Sequence, residues 1–367
     1  MDAKSPHLYR SLTKFHSAQQ QISEQLRAEI IQGNLAAGTK LPTAVELAVS
    51  WGVSTCTVHN ALATLVKAGL LKRQRGTGTF VAERKKRLTC AAIYYGGDFW
   101  NGIELGFYRL LYSALQAEFE KQGVQTRLIV DSRNPRDQTS VYPPLSDAIK
   151  ADEVQALVYS LGNRNITPGL LRLPIPLALF TGGSAIASNV SLDMRQFLEV
   201  SMDRLKSQGC RTVGLITNMS LEHEDGKHTP FHTYFMEVAS ERGLGIKNIW
   251  IKSPPPHLLS AGKFERFGYD SFLSIWNQSE KPDGLVVFPD MVVRGVLMAI
   301  AENRVAVPSA LKLALHRNEG IDILCPFPAS WVTTRVADAA KALVMQIQRQ
   351  FDGESVEPIQ VPFHVEE

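Results

Sequence analysis

The sequence predicts an α/β protein in two parts: a small head of three helices and a β-hairpin, then a two-lobed body of doubly wound parallel sheets. Three observations predict this. Residues 1–87 hold 13 Lys and Arg against 5 Asp and Glu, whereas the remainder holds 26 against 31. In the head, apolar residues recur at helical spacing and are followed by a glycine-rich turn. Beyond residue 87, strand-like and helical segments alternate. A head of net charge +8 on a body of −5 indicates that the head meets a polyanion.

The composition of the 367-residue chain is that of an ordinary globular protein, 44% hydrophobic and 20% charged. The four cysteines are scattered and form no C-x-x-C pair, which indicates a reducing compartment and argues against a zinc ribbon. The N-terminal residues contain no apolar signal region, and no apolar run is long enough to span a membrane. We therefore expect a cytoplasmic protein without a membrane partner.

Three helices are predicted in the head. Apolar residues repeat with a helical period over 17–34, and Gly33-Asn34 ends the run. Thr43 is the predicted N-cap of a short second helix that Gly52 ends, and Ser54 is the predicted N-cap of a third helix over 54–68. Two short helices joined by a glycine-containing turn are typical of a helix-turn-helix.

The glycines of "KRQRGTGTFV", residues 72–81, have two interpretations. A phosphate-binding loop follows a strand and opens a helix. Here the glycines separate two short strands, "LLKRQ" and "GTFVA", so they indicate a hairpin tip. At such a tip the backbone can approach DNA while Arg73 and Arg75 reach phosphates or the minor groove.

Several motifs in order make the stretch from Ile22 to Val81 similar to the winged helix of the gluconate-repressor (GntR) family of bacterial transcription factors. They are "GTKLPT", "GVSxxTVxxAL", "GLL" and "GTGTFV". The resemblance implies a DNA-binding domain over 1–82, followed by a basic linker, "ERKKR", over 83–87. The predicted DNA contacts are Thr43, Ser54, Thr55, Thr57, His59, Asn60, Arg73, Arg75, Gly76 and Thr77.

The head departs from that family at three positions. Val45, Thr55 and His59 stand where the family usually has arginine, which predicts a weaker and less salt-dependent affinity for DNA. Asn60 is the best candidate for a base contact, to adenine. A degenerate winged helix that binds protein instead of DNA remains an alternative.

Residues 88–367 form the predicted second domain, in which strands and helices alternate as in parallel βαβ units. The strand candidates are 88–96, 126–130, 156–160, 175–181, 212–217, 284–288 and 311–316. The helical patterns lie near 102–122, 194–208, 231–243, 262–277 and 290–304. For about 280 residues, two lobes are more plausible than one.

The order of these segments resembles the sensor half of lactose-repressor (LacI/GalR) regulators, which share the type I periplasmic-binding-protein-like fold. The similar stretches begin at "IPLALFTGG", "KPDGLVVFPD" and "WVTTRVADAA". The resemblance implies that this domain dimerises and that a small molecule, a sugar or a related metabolite, binds in the cleft between the lobes. The predicted effector-binding residues are Phe99, Trp100, Asp193, Asp290, His316 and Arg317.

Each effector residue has a simpler interpretation. Trp100 can be core at the lobe interface, Asp290 can be the N-cap of the following helix, and the His316–Glu319 cluster can be a solvated loop. Phe231 stands where the family's ligand-binding arginine is expected, which puts a sugar ligand in doubt.

A metal or cofactor is not expected. His223, His228 and His232 are close in sequence, but Gly226 and Pro230 indicate an irregular loop between them. No nucleophile elbow or P-loop lysine is present, so no enzymatic activity is predicted.

These observations predict a ligand-responsive transcription regulator, a repressor rather than an activator, that binds a near-palindromic operator as a homodimer. Two alternatives remain open. One is an enzyme or solute-binding protein with an incidental basic head. The other is a DNA-binding protein whose body dimerises but senses no ligand.

Overall fold

The computed structural model describes residues 17–31, 33–82, 87–96, 106–133, 138–161, 169–182, 186–223, 225–254 and 263–365. The chain folds into two compact units, one of the first 90 residues with residues 141–155, the other of residues 91–140 and 156–367. Within the described ranges, no helix combines the length and apolar character that crossing a membrane requires.

The head consists of three helices and a hairpin: α1 (Ala18–Ile31), α2 (Ala44–Trp51), α3 (Thr55–Lys67), β1 (Leu71–Gln74) and β2 (Gly78–Val81). Both predicted N-caps are confirmed. Thr43 forms a capping box with Glu46, whose carboxylate accepts from the Thr43 backbone N–H at 2.7 Å. Ser54 Oγ accepts from the backbone N–H of Thr57 at 3.1 Å. The helices bury a common apolar core that includes Ile22, Leu47 and Leu65.

The hairpin is antiparallel, with Leu71 opposite Val81 and Gln74 opposite Gly78. The segment before α2 also pairs with β2, since the Leu41 N–H donates to the Thr79 carbonyl at 2.9 Å. β2 therefore has a hydrogen-bonded neighbour on each side, which fixes the position of the hairpin against the helices. Gly76, at the tip, has a φ of +77°, a conformation that glycine adopts without strain.

One lobe of the body is built on a six-stranded sheet. Its strands are β3 (Cys90–Gly96), β4 (Gln125–Asp131), β5 (Ala156–Leu161), β6 (Leu177–Phe180), β7 (Asn189–Leu192) and β13 (Ile359–Val361), in the order β13-β7-β6-β5-β3-β4. α4 (Gly106–Glu120) and α10 (Val336–Phe351) pack against each other, and α10 packs on β6 and β7. We call this part lobe 1. α5 (Pro143–Lys150) belongs to the other compact unit.

Lobe 2 is built on the second six-stranded sheet. Its strands are β8 (Val213–Thr217), β9 (Ile251–Lys252), β10 (Gly284–Phe288), β11 (Lys312–Asn318), β12 (Ser330–Thr334) and β14 (His364–Val365), in the order β14-β12-β11-β10-β8-β9. α6 (Met194–Ser207) and α7 (Pro230–Glu241) share one apolar core with the sheet. α8 (Phe264–Trp276) and α9 (Asp290–Glu302) share a second core. Helices on both faces of a mainly parallel sheet confirm the predicted doubly wound α/β class.

The chain passes between the two lobes three times: from β7 to α6, from β12 to α10, and from β13 to β14. Hydrogen bonds join two of these crossovers. The backbone N–H of Asp193 donates to the Val361 carbonyl at 2.9 Å, and the backbone N–H of Phe363 donates to Gln196 Oε1 at 2.7 Å. The β7–α6 and β13–β14 crossovers are therefore connected to each other, and we call them the hinge region.

Several elements differ from the sequence-based expectation. α5 was not predicted; it has only eight residues and begins with Pro143 and Pro144, which the first turn of a helix tolerates. β7, β9, β13 and β14 have only two to four residues, too few for a period to show. β11 continues to Asn318, two residues beyond the predicted strand 311–316, so the interpretation of the His316–Glu319 cluster as a solvated loop is wrong for His316, Arg317 and Asn318.

Candidate nucleic-acid interface and interlobe cavity

α3 presents one buried and one exposed face. Val58, Ala61, Leu62 and Leu65 are buried in the core of the head. Because successive helical residues are separated by about 100°, the opposite face carries Cys56, His59, Asn60, Ala63 and Lys67, all of them exposed. Val58 and the other buried residues fix the rotation of the helix, so the exposed face offers hydrogen-bonding groups and one cation to solvent.

The first turn of α3 has limited side-chain freedom. Ser54 Oγ lies 2.8 Å from Thr57 Oγ1 while it caps the helix. Both hydroxyls are therefore engaged within the protein, and Thr55 is the hydroxyl of this turn that lies exposed beside them. Asn60 points its amide toward Cys56, with Nδ2 at 3.9 Å from Sγ.

The hairpin places cations beside α3. Arg73 is exposed in β1, and its Nη2 donates to the main-chain carbonyl of His59 at 3.3 Å. This contact ties the hairpin to the middle of α3. Lys72 and Arg75 are also exposed, and Arg75 lies in the hairpin turn, next to Gly76. The exposed face of α3 and the basic hairpin thus form one continuous polar surface of the head.

A cavity of about 710 Å³ opens between the lobes. Lobe 1 lines it with apolar and aromatic groups: Phe107 and Tyr108 from α4, Phe180 from β6, and Leu192 from β7. Phe107 and Phe180 stack with ring centroids 5.4 Å apart, and burial raises the pKa of Tyr108 to about 12. This wall therefore presents ring faces and no charge.

Lobe 2 supplies the charged, amide and imidazole groups of the cavity lining in the described part of the chain. They are Asn218, Glu265, Asp290, Arg294, His316, Asn318 and Asp322. Several follow the carboxyl ends of β8, β10 and β11, where ligands of parallel sheets commonly bind. Arg294 Nη2 donates to the Asp322 carbonyl at 3.0 Å, and its Nε lies 4.0 Å from Glu265 Oε1.

Asp290 is the most buried carboxylate of the cavity, with 5% of its surface exposed. It is the first residue of α9, and its Oδ1 accepts from the Met291 backbone N–H at 3.0 Å. Burial raises the pKa of Asp290, and hydrogen bonds from Asn318 and Met291 oppose this shift. The N-cap of α9 is Pro289, so the interpretation of Asp290 as the N-cap is wrong: Asp290 is the first helical residue, and its side chain accepts from the next backbone N–H and lines the cavity.

His316 is buried and forms a hydrogen bond with the backbone of Asp290. Its Nδ1 accepts the Asp290 backbone N–H at 3.2 Å, so Nε2 carries the proton and donates to Thr334 Oγ1 at 2.9 Å. Phe197, Phe288 and Phe363 surround the ring. Burial lowers the pKa of His316 to about 3, so the imidazole is neutral at physiological pH.

Comparison with protein families matches both parts of the chain. Residues 18–81 match the family described as bacterial regulatory proteins, gntR family. Residues 202–365 match the periplasmic binding protein-like domain.

The head is a GntR-type DNA-binding domain. It is 46% identical over 65 residues to the HTH-type transcriptional repressor NagR of Bacillus subtilis. The matched segment covers 18% of this chain and 27% of that relative, so the likeness is confined to the DNA-binding domain.

The body has the fold of LacI-type regulators. A LacI family transcription regulator from Clostridium acetobutylicum aligns with a TM-score of 0.58 at 16% identity, over 76% of this chain and 99% of that one. The lac repressor dimer bound to operator and the anti-inducer ONPF aligns with a TM-score of 0.58 at 10% identity, over 77% and 94%. At these identities the likeness concerns the fold.

The predicted DNA contacts all lie in the GntR-type domain, but they are not equally placed. Thr43 and Ser54 are used as helix caps, and Thr57 is partly covered. Thr43 and Ser54 are nevertheless exposed, as are Thr55, His59, Asn60, Arg73, Arg75, Gly76 and Thr77. Cys56 and Lys67 share the exposed face with His59 but were not predicted, because the predicted contacts of α3 were hydrogen-bonding residues near its first turn.

The predicted effector residues are only partly brought together. Asp290 and His316 line the cavity, whereas Arg317 stacks over Trp331 with 5.1 Å between its guanidinium carbon and the ring centroid. Asp193 caps α6 in the hinge, where its Oδ1 accepts from Gln196. Phe99 and Trp100 lie outside the described residues.

Other lining residues carried no recognisable signal in the sequence. Asn218 follows β8 and Arg294 lies one helical turn beyond Asp290, and neither position was singled out in the sequence, whereas Asn318 belonged to the His316–Glu319 cluster. Phe231, which stands where an arginine was expected, packs in the core of lobe 2 against Phe288.

Two of the clustered histidines, His228 and His232, lie side by side. His228 and His232 stack with ring centroids 3.9 Å apart, but no group of three metal-ligating side chains occurs in the described ranges. None of the four cysteines forms a disulfide bond, and Cys56 is the exposed one.

Proposed function

We propose that this protein is a ligand-responsive transcription regulator, acting as a repressor. The observation that carries the proposal is the polar surface of the head, where an exposed recognition-type helix lies beside a glycine-tipped basic hairpin tied to it through Arg73 and His59. This surface belongs to a GntR-type domain joined to a body with the fold of LacI-type regulators. Such a regulator works where the genome lies, so we place it in the cytoplasm.

α3 enters the major groove in this proposal. Asn60, at the centre of the exposed face, reads a base edge, most favourably adenine, and His59 and Thr55 lie beside it. Arg73 and Arg75 bind phosphates or reach the minor groove from the hairpin. In this proposal the DNA-binding domain spans residues 1–82, the basic linker 83–87 and the effector-binding domain 88–367.

A homodimer is the form that best fits the size of the head. A single small module seldom supplies enough specific affinity, whereas two heads related by a twofold axis read the two halves of a near-palindromic operator. The lac repressor, whose body has the same fold, is a dimer on its operator.

The effector binds in the interlobe cavity. Ring faces of lobe 1 suit the apolar face of a sugar or a related cyclic metabolite, and Asp290 and Asn318 accept or donate hydrogen bonds at its edge. Closing of the lobes around the hinge alters the spacing of the two heads. A preference of about 1.4 kcal/mol for one state changes operator affinity about tenfold.

The proposal is tested by selecting the preferred DNA sequence for the full chain from a random pool and measuring affinity at about 50 and 200 mM salt. We expect a twofold-symmetric site whose affinity falls steeply with salt. Asn60→Ala and Arg75→Gln are expected to weaken binding, while Arg349→Gln, on α10, leaves it unchanged. Salt-independent binding, or no selected sequence, would refute the proposal. Turnover of a metabolite would favour an enzyme instead.

A further inference from the structure

The charges around the interlobe cavity are unbalanced. Among the lining residues that the structure describes, Glu265, Asp290 and Asp322 carry carboxylates, and Arg294 carries the one guanidinium. Arg294 is already engaged by the Asp322 carbonyl and lies near Glu265. The cavity therefore presents an excess of negative charge on its lobe 2 side.

An anion cannot use the N-terminus of α9, which would otherwise attract it. The first four backbone N–H groups of this helix all have acceptors within the protein. The N–H of Asp290 donates to His316 and that of Met291 to the Asp290 carboxylate, while those of Val292 and Val293 both donate to the Pro289 carbonyl. Asp290 thus occupies the position that a ligand phosphate or carboxylate would need.

The Asp290 carboxylate itself lacks an ionic partner. No basic nitrogen among the described residues lies within 4.0 Å of it, and its hydrogen bonds come from the neutral groups of Met291 and Asn318. These two hydrogen bonds and the more distant charge of Arg294 only partly offset the loss of hydration of a carboxylate that is 5% exposed. A ligand cation next to it would supply the missing charge.

We propose that the effector is a cyclic amine, whose protonated nitrogen binds at Asp290 while its ring lies against the aromatic wall of lobe 1. Phe107 and Phe180 give that wall two stacked ring faces, and the excess carboxylates of lobe 2 exclude acidic analogues. The inference rests on the proposed effector role of the cavity and narrows it to one class of ligand.

The test uses two sets of probes that keep the ring and change the charge. One set is D-glucosamine, D-glucose and D-glucuronate; the other is benzylamine, benzyl alcohol and benzoate. Calorimetric titration of the full chain without DNA is expected to show the amine of at least one set binding about tenfold or more tightly than its hydroxyl partner. The acid of that set should bind most weakly. Equal or tighter binding of the neutral or acidic probe, or no binding of any probe at millimolar concentration, would overturn the inference.

Two variants test the residue assignment. Asp290→Asn should remove the preference for the amine, and Asp352→Asn, at an exposed carboxylate that follows the last residue of α10, should keep it. Because Asp290 is buried, the thermal unfolding of the Asp290→Asn variant must be compared with that of the wild type. Arg294→Gln removes the competing cation at a half-exposed site, so amine affinity should stay the same or rise by about twofold. A fall would contradict the proposal.

DNA affinity measured with the same probes separates this inference from the proposed function. If an amine binds but operator affinity does not change, the regulatory role fails and the ligand assignment stands. If a neutral or acidic probe releases DNA more effectively than its amine, the ligand assignment fails and the regulatory role stands.

Discussion

Nδ1 of His316 lies 3.2 Å from the backbone nitrogen of Asp290 and accepts its hydrogen. This bond joins β11 to the first turn of α9, and it occupies the N–H that would otherwise face the interlobe cavity. Because His316 is held from the other side by Thr334, the orientation of Asp290 depends on a histidine that is itself enclosed by three aromatic rings. Stability and the geometry of the cavity are therefore coupled at this pair.

Replacement of His316 by phenylalanine should destabilise the body. The substitution removes the acceptor for the Asp290 N–H and the donor to Thr334, and a buried unsatisfied group costs about 1–3 kcal/mol. Urea unfolding of the full chain measures the loss. His316→Asn, whose amide oxygen can take the position of Nδ1, should recover part of it. A His316→Phe variant as stable as the wild type would show that the hydrogen bond contributes nothing.

The stability of the body should fall as the solution becomes acidic. His316 has a pKa of about 3 in the folded state, against about 6.5 when unfolded. Between these values the unfolded chain binds a proton that the folded chain does not, so the free energy of unfolding falls by about 1.4 kcal/mol per pH unit.

His316→Asn cannot titrate and serves as the control for this pH dependence. The difference in stability between wild type and variant should shrink steadily from pH 6.5 downward. Asp290 acts in the opposite sense, because its raised pKa lets the folded state take up a proton first. It is present in both proteins, and a constant difference across this window would refute the assignment to His316.

Gly295→Ala should destabilise lobe 2. A Cβ at Gly295 would lie 1.7 Å from the main-chain carbonyl oxygen of Glu265, so α8 and α9 would have to separate. Overpacking of this kind typically costs about 1–3 kcal/mol, and here the obstacle is backbone that cannot rotate away. Thermal unfolding measures the effect. Gly182→Ala has open space around its Cβ and should leave the transition unchanged.

Arg75→Gln should weaken binding to all DNA sequences by a similar factor and reduce the slope of log affinity against log salt by about 0.9, the value for one phosphate contact. Asn60→Ala should instead relax the base preference at one position of each half-site, at a cost of about 1–3 kcal/mol for the preferred sequence. Binding to a selected operator and to a scrambled duplex at several salt concentrations distinguishes the two. Identical behaviour of both variants would contradict the assigned roles.

Alkylation of Cys56 should block DNA binding. Its thiol is exposed on the same face of α3 as His59 and Asn60, whereas Cys90, Cys210 and Cys325 are at least partly buried. Treatment with N-ethylmaleimide should abolish operator binding by the wild type and spare Cys56→Ser. Bound operator should slow modification of Cys56. Equal modification with and without DNA would place α3 away from the groove.

Much of the head could be predicted from its sequence because its signals are local. Thr43, Ser54 and Gly52 act within one turn of their helix, and the hairpin strands are joined by a short turn. Which face of α3 is exposed follows from Val58 and Leu65, but the contact from Arg73 to the His59 carbonyl does not. It depends on how the hairpin docks against the helix.

The cavity was far less predictable. Asp193 and Asp290 both follow a strand and precede a helix in the sequence, yet Asp193 caps α6 at the hinge while Asp290 lines the cavity. Their local patterns are similar, and the difference arises from the connections of the strands. His316 looked like part of a polar loop because a polar residue ends an apolar run, although its partners lie in α9 and β12.

By itself, the sequence determined a basic DNA-binding head and an alternating α/β body, since apolar periods, caps and charge act along short stretches of chain. Only the tertiary structure decided that Phe107, Phe180 and Asp290 line one cavity. The physical reason is that three crossovers bring together side chains more than a hundred residues apart. A local sequence pattern does not show which strands such a crossover connects.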